Sequence, residues 1–250
     1  MQPKTTRSKP AFLSTSRETG TDYVIYVDQP PAPGDGPPMP AVLVMDGDYF
    51  FDAVVAASRT LAEAGRIPAC VVIGVGYGAG FGSPGNFRGR DYTPTAAPEE
   101  PSSGGADRFL AYLSGSLWPE LSRRYRLSED RRVIAGHSLG SLLALHALFQ
   151  PKPFFNRVLA SAPSIWWDNR SLLGIASRLR DRQSRLDARL YLAAGDEDSP
   201  SMTEDLALLE NQLKARPFAG LQVLSERFPG RDHYNAVPFT VPAGLASLLG

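Results

Sequence analysis

The sequence has few of the features that mark disulfide-bonded, membrane-spanning or strongly charged proteins. Cys70 is the one cysteine among 250 residues and lies in an apolar run. It cannot form an internal disulfide, and we expect a buried thiol rather than a nucleophile. No apolar run is long enough to cross a bilayer. Lys and Arg together number 26, as do Asp and Glu. This balance gives no indication that nucleic acid or an anionic membrane surface is a partner.

Length and composition predict one globular domain preceded by an extension. Hydrophobic residues make up 43% of the 250 residues, which is typical of a folded chain with a sizeable core. Residues 1–20 are mostly polar, and we expect them to form a loosely held N-terminal extension to a domain at residues 21–250. The first ten residues are basic and polar, with no apolar segment behind them. This pattern favours a cytoplasmic protein over a secreted one.

Apolar runs alternate with helical patterns along the chain. Strands are predicted at residues 22–27, 41–45, 69–75, 131–135, 158–161, 189–194 and 221–228. Helices are predicted at residues 52–64, 107–124, 139–149, 171–182, 203–215 and 241–249. This α/β alternation predicts a mostly parallel sheet with helices on both faces. Residues 76–106, rich in Gly and Pro, are predicted to be a long irregular segment near the active site.

A serine stands on a predicted strand-to-helix turn. Residues 136–140 have the pattern Gly-x-Ser-x-Gly, with an apolar strand before them and an apolar helix after them. Gly136 and Gly140 would allow strand and helix to approach closely, and the strained turn would expose the Ser138 hydroxyl at the carboxyl edge of the sheet. The pattern alone is weak, but this context predicts a nucleophile.

One of the three histidines is placed to act as a general base. His137 adjoins Ser138 and cannot turn back onto its neighbour's hydroxyl, so it lines a pocket or packs. His146 lies among leucines of the helix after Ser138 and is predicted to pack. His233 follows the last predicted strand in a polar loop, which suits a general base.

The turn after the strand at 189–194 offers the acid that would orient this histidine. Its candidates are Asp196, Glu197 and Asp198. We favour Asp198, because the chain needs three residues beyond Gly195 to reach the histidine loop, and we place Asp196 second. Asp232 adjoins His233 and is predicted to be solvated.

Two backbone N–H groups are predicted to form an oxyanion hole. One belongs to Leu139, directly after the nucleophile. The other is assigned to Asp48, after the strand at 41–45, where Gly47 would let the backbone approach closely. A plain turn at residues 46–48 would explain the same sequence equally well.

Several of these runs together resemble the putative esterase family of α/β-hydrolases. This family includes esterase D (S-formylglutathione hydrolase), the mycolyltransferase antigens, and the enterochelin and salmochelin esterases. The resembling runs are residues 43–47, Arg-Gly-Arg-Asp-Tyr-Thr-Pro at 88–94, Gly-His-Ser-Leu-Gly at 136–140, Ala-Ser-Ala-Pro-Ser-Ile-Trp-Trp at 160–167, and His233 with Pro238. The second and fourth of them are most similar to the siderophore-esterase branch.

The resemblance implies an α/β-hydrolase fold and a serine esterase. Ser138 would be the nucleophile, His233 the base and Asp198 the acid, with Asp48 and Leu139 as oxyanion donors. No metal or organic cofactor is needed for this chemistry. The family usually has a second glycine after the motif, where this chain has Ser141. The extra N-terminal domain of enterochelin esterases has no room here, so the resemblance implies a single-domain form.

Four further residues are candidates for binding a small-molecule ester. Trp166 and Trp167 would either form an aromatic wall or pack in the core. Arg88 and Arg90 would bind a carboxylate or an anionic catecholate, or one would pair with Asp91 and hold the loop in place. The sequence does not distinguish hydrolysis from acyl transfer or thioester cleavage on the same triad. A non-catalytic binding protein is a further alternative, and the oligomeric state stays open.

Overall fold

The computed structural model describes residues 8–31 and 36–250. Its eight strands form one sheet in the order β1-β2-β4-β3-β5-β6-β7-β8. The strands are β1 (Phe12–Ser16), β2 (Thr21–Asp28), β3 (Met39–Met45), β4 (Val71–Gly76), β5 (Leu127–His137), β6 (Arg157–Ser161), β7 (Arg185–Gly195) and β8 (Ala219–Phe228). β1, β2 and β4 pair antiparallel, and all other neighbours pair parallel. This is the mostly parallel sheet of an α/β-hydrolase fold.

Helices cover both faces of the sheet. They are α1 (Gly47–Glu63), α2 (Arg88–Asp91), α3 (Ala106–Tyr112), α4 (Trp118–Arg124), α5 (Leu139–Leu148), α6 (Trp167–Arg182), α7 (Pro200–Ala215) and α8 (Val237–Leu249), with a π-helical turn (Leu113–Leu117) joining α3 to α4. Helices α1 and α8 pack on one face, and α3 to α7 supply the core of the other. No helix within the described ranges is long and apolar enough to span a membrane.

The central strands are buried on both sides because their side chains enter two cores in turn. Leu43 of β3 lies in the core beneath α3 to α7, whereas Val42 and Val44 lie in the core beneath α1 and α8. Side chains of a strand alternate between the two faces of the sheet, so a strand between two helical layers must be apolar throughout. This requirement explains the continuous apolar runs in the sequence.

The structure corrects the prediction of a loose extension at residues 1–20. Phe12–Ser16 forms β1 and pairs with β2 at the edge of the sheet. Its inward-facing side chains include Ser14 and Ser16, which are buried. A strand this short, with hydroxyl groups facing inward, has no hydropathy alternation to reveal it. Residues 1–7 of the predicted extension lie outside the described residues.

The irregular segment at 76–106 is anchored at its centre. Asp91, Tyr92 and Thr93 are fully buried, and the Thr93 hydroxyl donates to the carbonyl of Gly89 at 2.7 Å. Burial of a polar loop requires internal hydrogen bonds, which these residues supply. The middle of the segment is therefore a fixed part of the domain.

Helix α6 begins earlier than the predicted residue 171, and in an unusual conformation. Asp168, Asn169 and Arg170 have φ values of 43°, 51° and 63°, in the left-handed region that residues with a side chain rarely adopt. Arg170 Nε donates to the buried Asp205 carboxylate at 2.6 Å. Trp166 and Trp167, which precede this turn, have different surroundings, described below.

The fold predicts that alanine destabilises the protein strongly at one glycine and has little effect at another. A Cβ on Gly136 would lie 2.1 Å from the carbonyl carbon of Gly140, whereas a Cβ on Gly115 would meet nothing within 4 Å. We expect Gly136→Ala to lower the free energy of unfolding by at least about 2 kcal/mol. The added Cβ would clash with backbone atoms, which cannot move aside as the end of a flexible side chain can. Gly115→Ala should change it by less than about 1 kcal/mol. Urea unfolding measures both, and equal stabilities would contradict the close approach at Gly136.

Candidate active site

Ser138 occupies the turn between β5 and α5 in a backbone conformation that few residues adopt. Its φ of 58° and ψ of −122° lie outside the regions favoured for residues with a side chain. The N–H of Ser138 donates to the carbonyl of Ser161 at 3.0 Å, and its own carbonyl accepts the N–H of Ser141 at 3.0 Å. These bonds hold Ser138 where two strand ends meet a helix start. Its half-buried hydroxyl has Ser164 Oγ as a neighbour at 3.3 Å.

The structure brings His233 and Asp198 together. His233 Nδ1 lies 2.9 Å from Asp198 Oδ2, and the Asp198 side chain is only 3% exposed. An ionised carboxylate only accepts hydrogen bonds, so Nδ1 carries the proton and Nε2 is left as the basic nitrogen. The histidine side chain is 20% exposed, so the imidazole is partly accessible.

The carboxylates of Asp196 and Asp232 bind backbone N–H groups of residues 230–235 rather than the His233 imidazole. Asp196 accepts the N–H of Gly230 at 2.7 Å, and Asp232 accepts the N–H groups of Tyr234 and Asn235. These two backbone hydrogen bonds lower the pKa of Asp232 below its ordinary value. Of the aspartates considered from the sequence, Asp198 is therefore the one in contact with the imidazole.

The turn that carries Asp198 and the loop that carries His233 are in direct backbone contact. A Cβ on Gly195 would lie 1.9 Å from the carbonyl oxygen of Arg231, so only glycine permits this crossing. The N–H of Glu197 donates to the same carbonyl at 3.0 Å. The distance between Asp198 and His233 is thus set by rigid backbone rather than by flexible side chains.

His137 packs beside His233 and is neutral. Their ring centroids lie 4.5 Å apart, which places His233 beside the turn that carries Ser138. His137 Nδ1 lies 3.1 Å from Ser161 Oγ, and its Nε2 has no hydrogen-bond partner among the described residues. Burial lowers the pKa of His137 well below its ordinary value, with the charges of His233 and Arg88 acting in the same direction. His146, in contrast, packs in α5 and contacts Asp107 at 2.7 Å, away from this cluster.

Two helices begin near Ser138, and the first N–H groups of a helix have no partner within that helix. Helix α5 begins at Leu139, and α1 begins at Gly47, earlier than the predicted residue 52. The N–H of Asp46 donates to the Tyr92 hydroxyl at 2.9 Å. The next two N–H groups of α1, those of Gly47 and Asp48, are the orphan donors of that helix. The Asp48 carboxylate points elsewhere and accepts the N–H of Tyr77 at 2.6 Å.

The two candidate arginines have different surroundings. Arg88 donates two hydrogen bonds of 2.9 Å to the buried carboxylate of Asp46, which lies beside the Ser138 turn. Arg90 donates to Asp91 at 2.7 Å and to the Thr21 hydroxyl at 2.7 Å. Arg90 thus pairs with Asp91 and holds the loop, which is the second of the two alternatives that the sequence left open. Arg88 keeps its place at the site, although its charge is paired.

The two tryptophans separate into one that packs and one that is exposed. The Trp167 indole N–H donates to the carbonyl of Thr95 at 3.0 Å, and the side chain is buried. Trp166 is 41% exposed. In the chain it follows Ser164, whose Oγ contacts Ser138 Oγ at 3.3 Å, by two residues. Trp167 is therefore structural, and Trp166 keeps its prediction as a substrate-binding surface.

Sequence reasoning missed two residues at this site, Asp46 and Ser164. Asp46 was considered only as part of a turn, and its partner Arg88 is 42 residues away in the chain. Ser164 stands among residues noted for their tryptophans. The one available signal was position, since both follow strands that end beside β5. Within residues 8–31 and 36–250, no group of His, Cys, Asp and Glu is arranged to hold a metal ion.

Neutral His137 predicts a specific pH dependence of stability. The unfolded chain binds a proton at His137 below about pH 6.5 and the folded chain does not, so stability falls as the pH falls. One such proton contributes a slope of at most about 1.4 kcal/mol per pH unit. His137→Phe should remove this slope between pH 6.5 and 5, as measured by urea unfolding. Between pH 7.5 and 9 the two proteins should keep a constant difference. If the free energies of unfolding of the two proteins kept the same difference from pH 9 down to pH 5, His137 would not be neutral and buried in the folded protein.

Comparisons with known proteins show which proteins this chain is similar to. A family model described as "Putative esterase" matches residues 16–237. Ferri-bacillibactin esterase BesA of Bacillus subtilis (strain 168) is 28% identical over 254 residues, covering 93% of this chain and 86% of that protein. Siderophore enterobactin esterase of Emericella nidulans is 34% identical over 197 residues, covering 71% of this chain and 65% of that protein.

The fold is also similar to a solved structure over its whole length. The crystal structure of BES protein from Bacillus cereus matches with a TM-score of 0.86 and 26% identity, covering 100% of this chain and 97% of that one. The similarity therefore includes all the strand ends that carry the site residues.

Proposed function

Because this chain belongs to the putative esterase family and is a carboxylic ester hydrolase, we propose that Ser138, His233 and Asp198 are its catalytic triad and that its substrates are siderophore esters. The observation that carries the triad is the 2.9 Å contact between His233 Nδ1 and Asp198 Oδ2. This contact lies at the same sheet edge as the strained turn of Ser138. An imidazole oriented in this way has Nε2 available to take a proton.

The proposed reaction has two covalent steps. His233 Nε2 takes the proton of the Ser138 hydroxyl, and Ser138 Oγ forms a bond to the ester carbonyl carbon. The tetrahedral oxyanion accepts hydrogen bonds from the N–H of Leu139 and from an orphan N–H at the start of α1, that of Asp48 or of its neighbour Gly47. Its collapse expels the alcohol, which takes the proton from His233. Water, activated by the same base, then releases the acid from Ser138.

The proposed substrate class draws on the named relatives and on the walls of the site. Two relatives are named as esterases of ferri-bacillibactin and of the siderophore enterobactin. Trp166 offers an exposed aromatic surface, and Arg88 contributes a guanidinium that retains one nitrogen without a partner among the described residues. Aromatic and anionic groups of a bound ester would find complementary contacts here.

Replacing the nucleophile tests the proposed function. The wild-type chain should hydrolyse bacillibactin or enterobactin, in ferric or iron-free form, to ring-opened acids detected by mass spectrometry. Ser138→Ala should lower the rate at least about 10⁴-fold, because no acyl-enzyme can form. A fluorophosphonate probe should label the wild-type protein at Ser138 and leave the variant unlabelled.

Two outcomes would contradict parts of this proposal. Undiminished hydrolysis by Ser138→Ala would remove Ser138 from the mechanism. Turnover of a short aryl ester without turnover of either siderophore would refute the substrate class but leave the triad intact. Preferential transfer of the acyl group to an added alcohol or thiol, in place of water, would assign acyl transfer.

Two aspartates in one turn provide a matched test of the acid. Asp198→Asn should lower kcat about 10³- to 10⁴-fold, because an amide can hold the imidazole in the wrong tautomer and does not stabilise the imidazolium. Asp196→Asn removes the same charge two residues away, and its amide oxygen can still accept the N–H of Gly230. We expect its effect on kcat to be less than about threefold. Equal losses of kcat in the two variants would show that the loss does not come from the contact between Asp198 and His233.

A further inference from the structure

Ser164 forms hydrogen bonds with Ser138, the proposed nucleophile, through both its backbone and its side chain. It follows β6, whose last residue Ser161 lies opposite His137 in the sheet. The N–H of Ser164 donates to the carbonyl of Ser138 at 3.3 Å. Between the two serines of the β6 end, Ala162 has a φ of 45°, in the left-handed region. A rarely adopted backbone conformation thus precedes Ser164 and fixes its approach to the Ser138 turn.

The side chain of Ser164 is enclosed and has one hydrogen-bond partner. Ser164 is 0% exposed, and the contact of its Oγ with Ser138 Oγ at 3.3 Å is the hydrogen bond that its hydroxyl makes within the described part of the chain. A buried hydroxyl without a partner costs free energy. The Ser164 proton therefore has Ser138 Oγ as its acceptor whenever the Ser138 proton is directed to His233.

The direction of this hydrogen bond matters for the chemistry. A serine hydroxyl donates one hydrogen bond and can accept two. When Ser138 gives its proton to His233, negative charge builds on Ser138 Oγ, and a hydrogen bond donated to that oxygen becomes charge-assisted and stronger. In the acyl-enzyme the same oxygen is an ester oxygen, which is a weaker acceptor. The bond is thus strongest during proton transfer.

We propose that Ser164 is a further catalytic residue, whose hydroxyl donates a hydrogen bond to Ser138 Oγ and stabilises it as its proton leaves. This inference rests on the proposed function of Ser138 as nucleophile. In the step it assists, the Ser138 O–H bond breaks, the proton moves to His233 Nε2, and the oxygen electron pair forms the bond to the ester carbonyl carbon. The carbonyl π pair moves to the carbonyl oxygen. Ser164 keeps its own proton throughout.

The test compares two buried serines. Ser164→Ala should lower both kcat for a short aryl ester and the second-order rate constant of fluorophosphonate labelling by about 10- to 100-fold, with KM nearly unchanged. Ser58 is also buried, and its hydroxyl contacts Cys70 Sγ on the α1 side of the sheet. Ser58→Ala should leave both rates within about twofold of the wild-type values. Thermal unfolding of both variants shows whether they are folded at the assay temperature.

The pH profile separates a catalytic role from a structural one. Loss of a donor to Ser138 Oγ should lower the limiting labelling rate and leave the midpoint of the acidic limb, set by His233, within about 0.2 pH unit of the wild type. A shifted midpoint would overturn the inference, because Ser164 would then act through the imidazole. Rates equal to those of Ser58→Ala would overturn it too.

A size-matched variant covers the case in which Ser164→Ala does not fold. Ser164→Cys keeps a side chain of similar shape with a weaker donor, and we expect it to lose at least about fivefold in labelling rate. An unchanged rate in that variant would overturn the inference. Failure of the proposed function gives a different result, since the probe would then label a residue other than Ser138 or Ser138→Ala would stay active.

Discussion

The close passage of backbone at Gly136 and Gly140 is the constraint on which the site depends. Because no side chain separates strand β5 from the start of α5, the chain reverses sharply and holds Ser138 at a φ of 58°. This geometry leaves the hydroxyl partly accessible and places it at the N-terminus of α5. A bulkier residue at Gly136 would move the helix, Ser138 and the N–H of Leu139 together, and with them the proposed nucleophile and oxyanion donor.

A second backbone contact, between Gly195 and Arg231, holds the proposed acid and base in place in the same way. Asp198 and His233 are 35 residues apart in the chain, yet their separation is set where two loops cross without an intervening side chain. Catalysis by a triad requires angles and distances held closely before the substrate arrives. Glycines at strand ends provide this rigidity because they let backbone touch backbone.

The sequence predicted the elements whose signal is local and missed those whose signal is tertiary. Seven strands and the turn at Ser138 follow from apolar runs and a motif, and the candidate base followed from counting three histidines. The strand β1 was missed because its inward residues are serines. The partners of Arg88 and Arg90 were open because Asp91 is the one aspartate beside them in the sequence. The fold brings Asp46, 42 residues away, to Arg88 and places Thr21 beside Arg90.

Pairing of Arg88 with Asp46 resolves an electrostatic conflict that the sequence does not display. The Asp46 carboxylate is buried beside the Ser138 turn, and alone it would repel the negative charge that develops on a reacting ester carbonyl. The bidentate guanidinium offsets that charge within the protein. An anionic substrate therefore meets a nearly balanced pair, and the exposed ring of Trp166 contributes contact area that does not depend on charge. For the proposed siderophore ester, we therefore expect Trp166 to contribute aromatic contact and the Arg88 nitrogen that is unpaired among the described residues to contribute a hydrogen bond rather than a full positive charge.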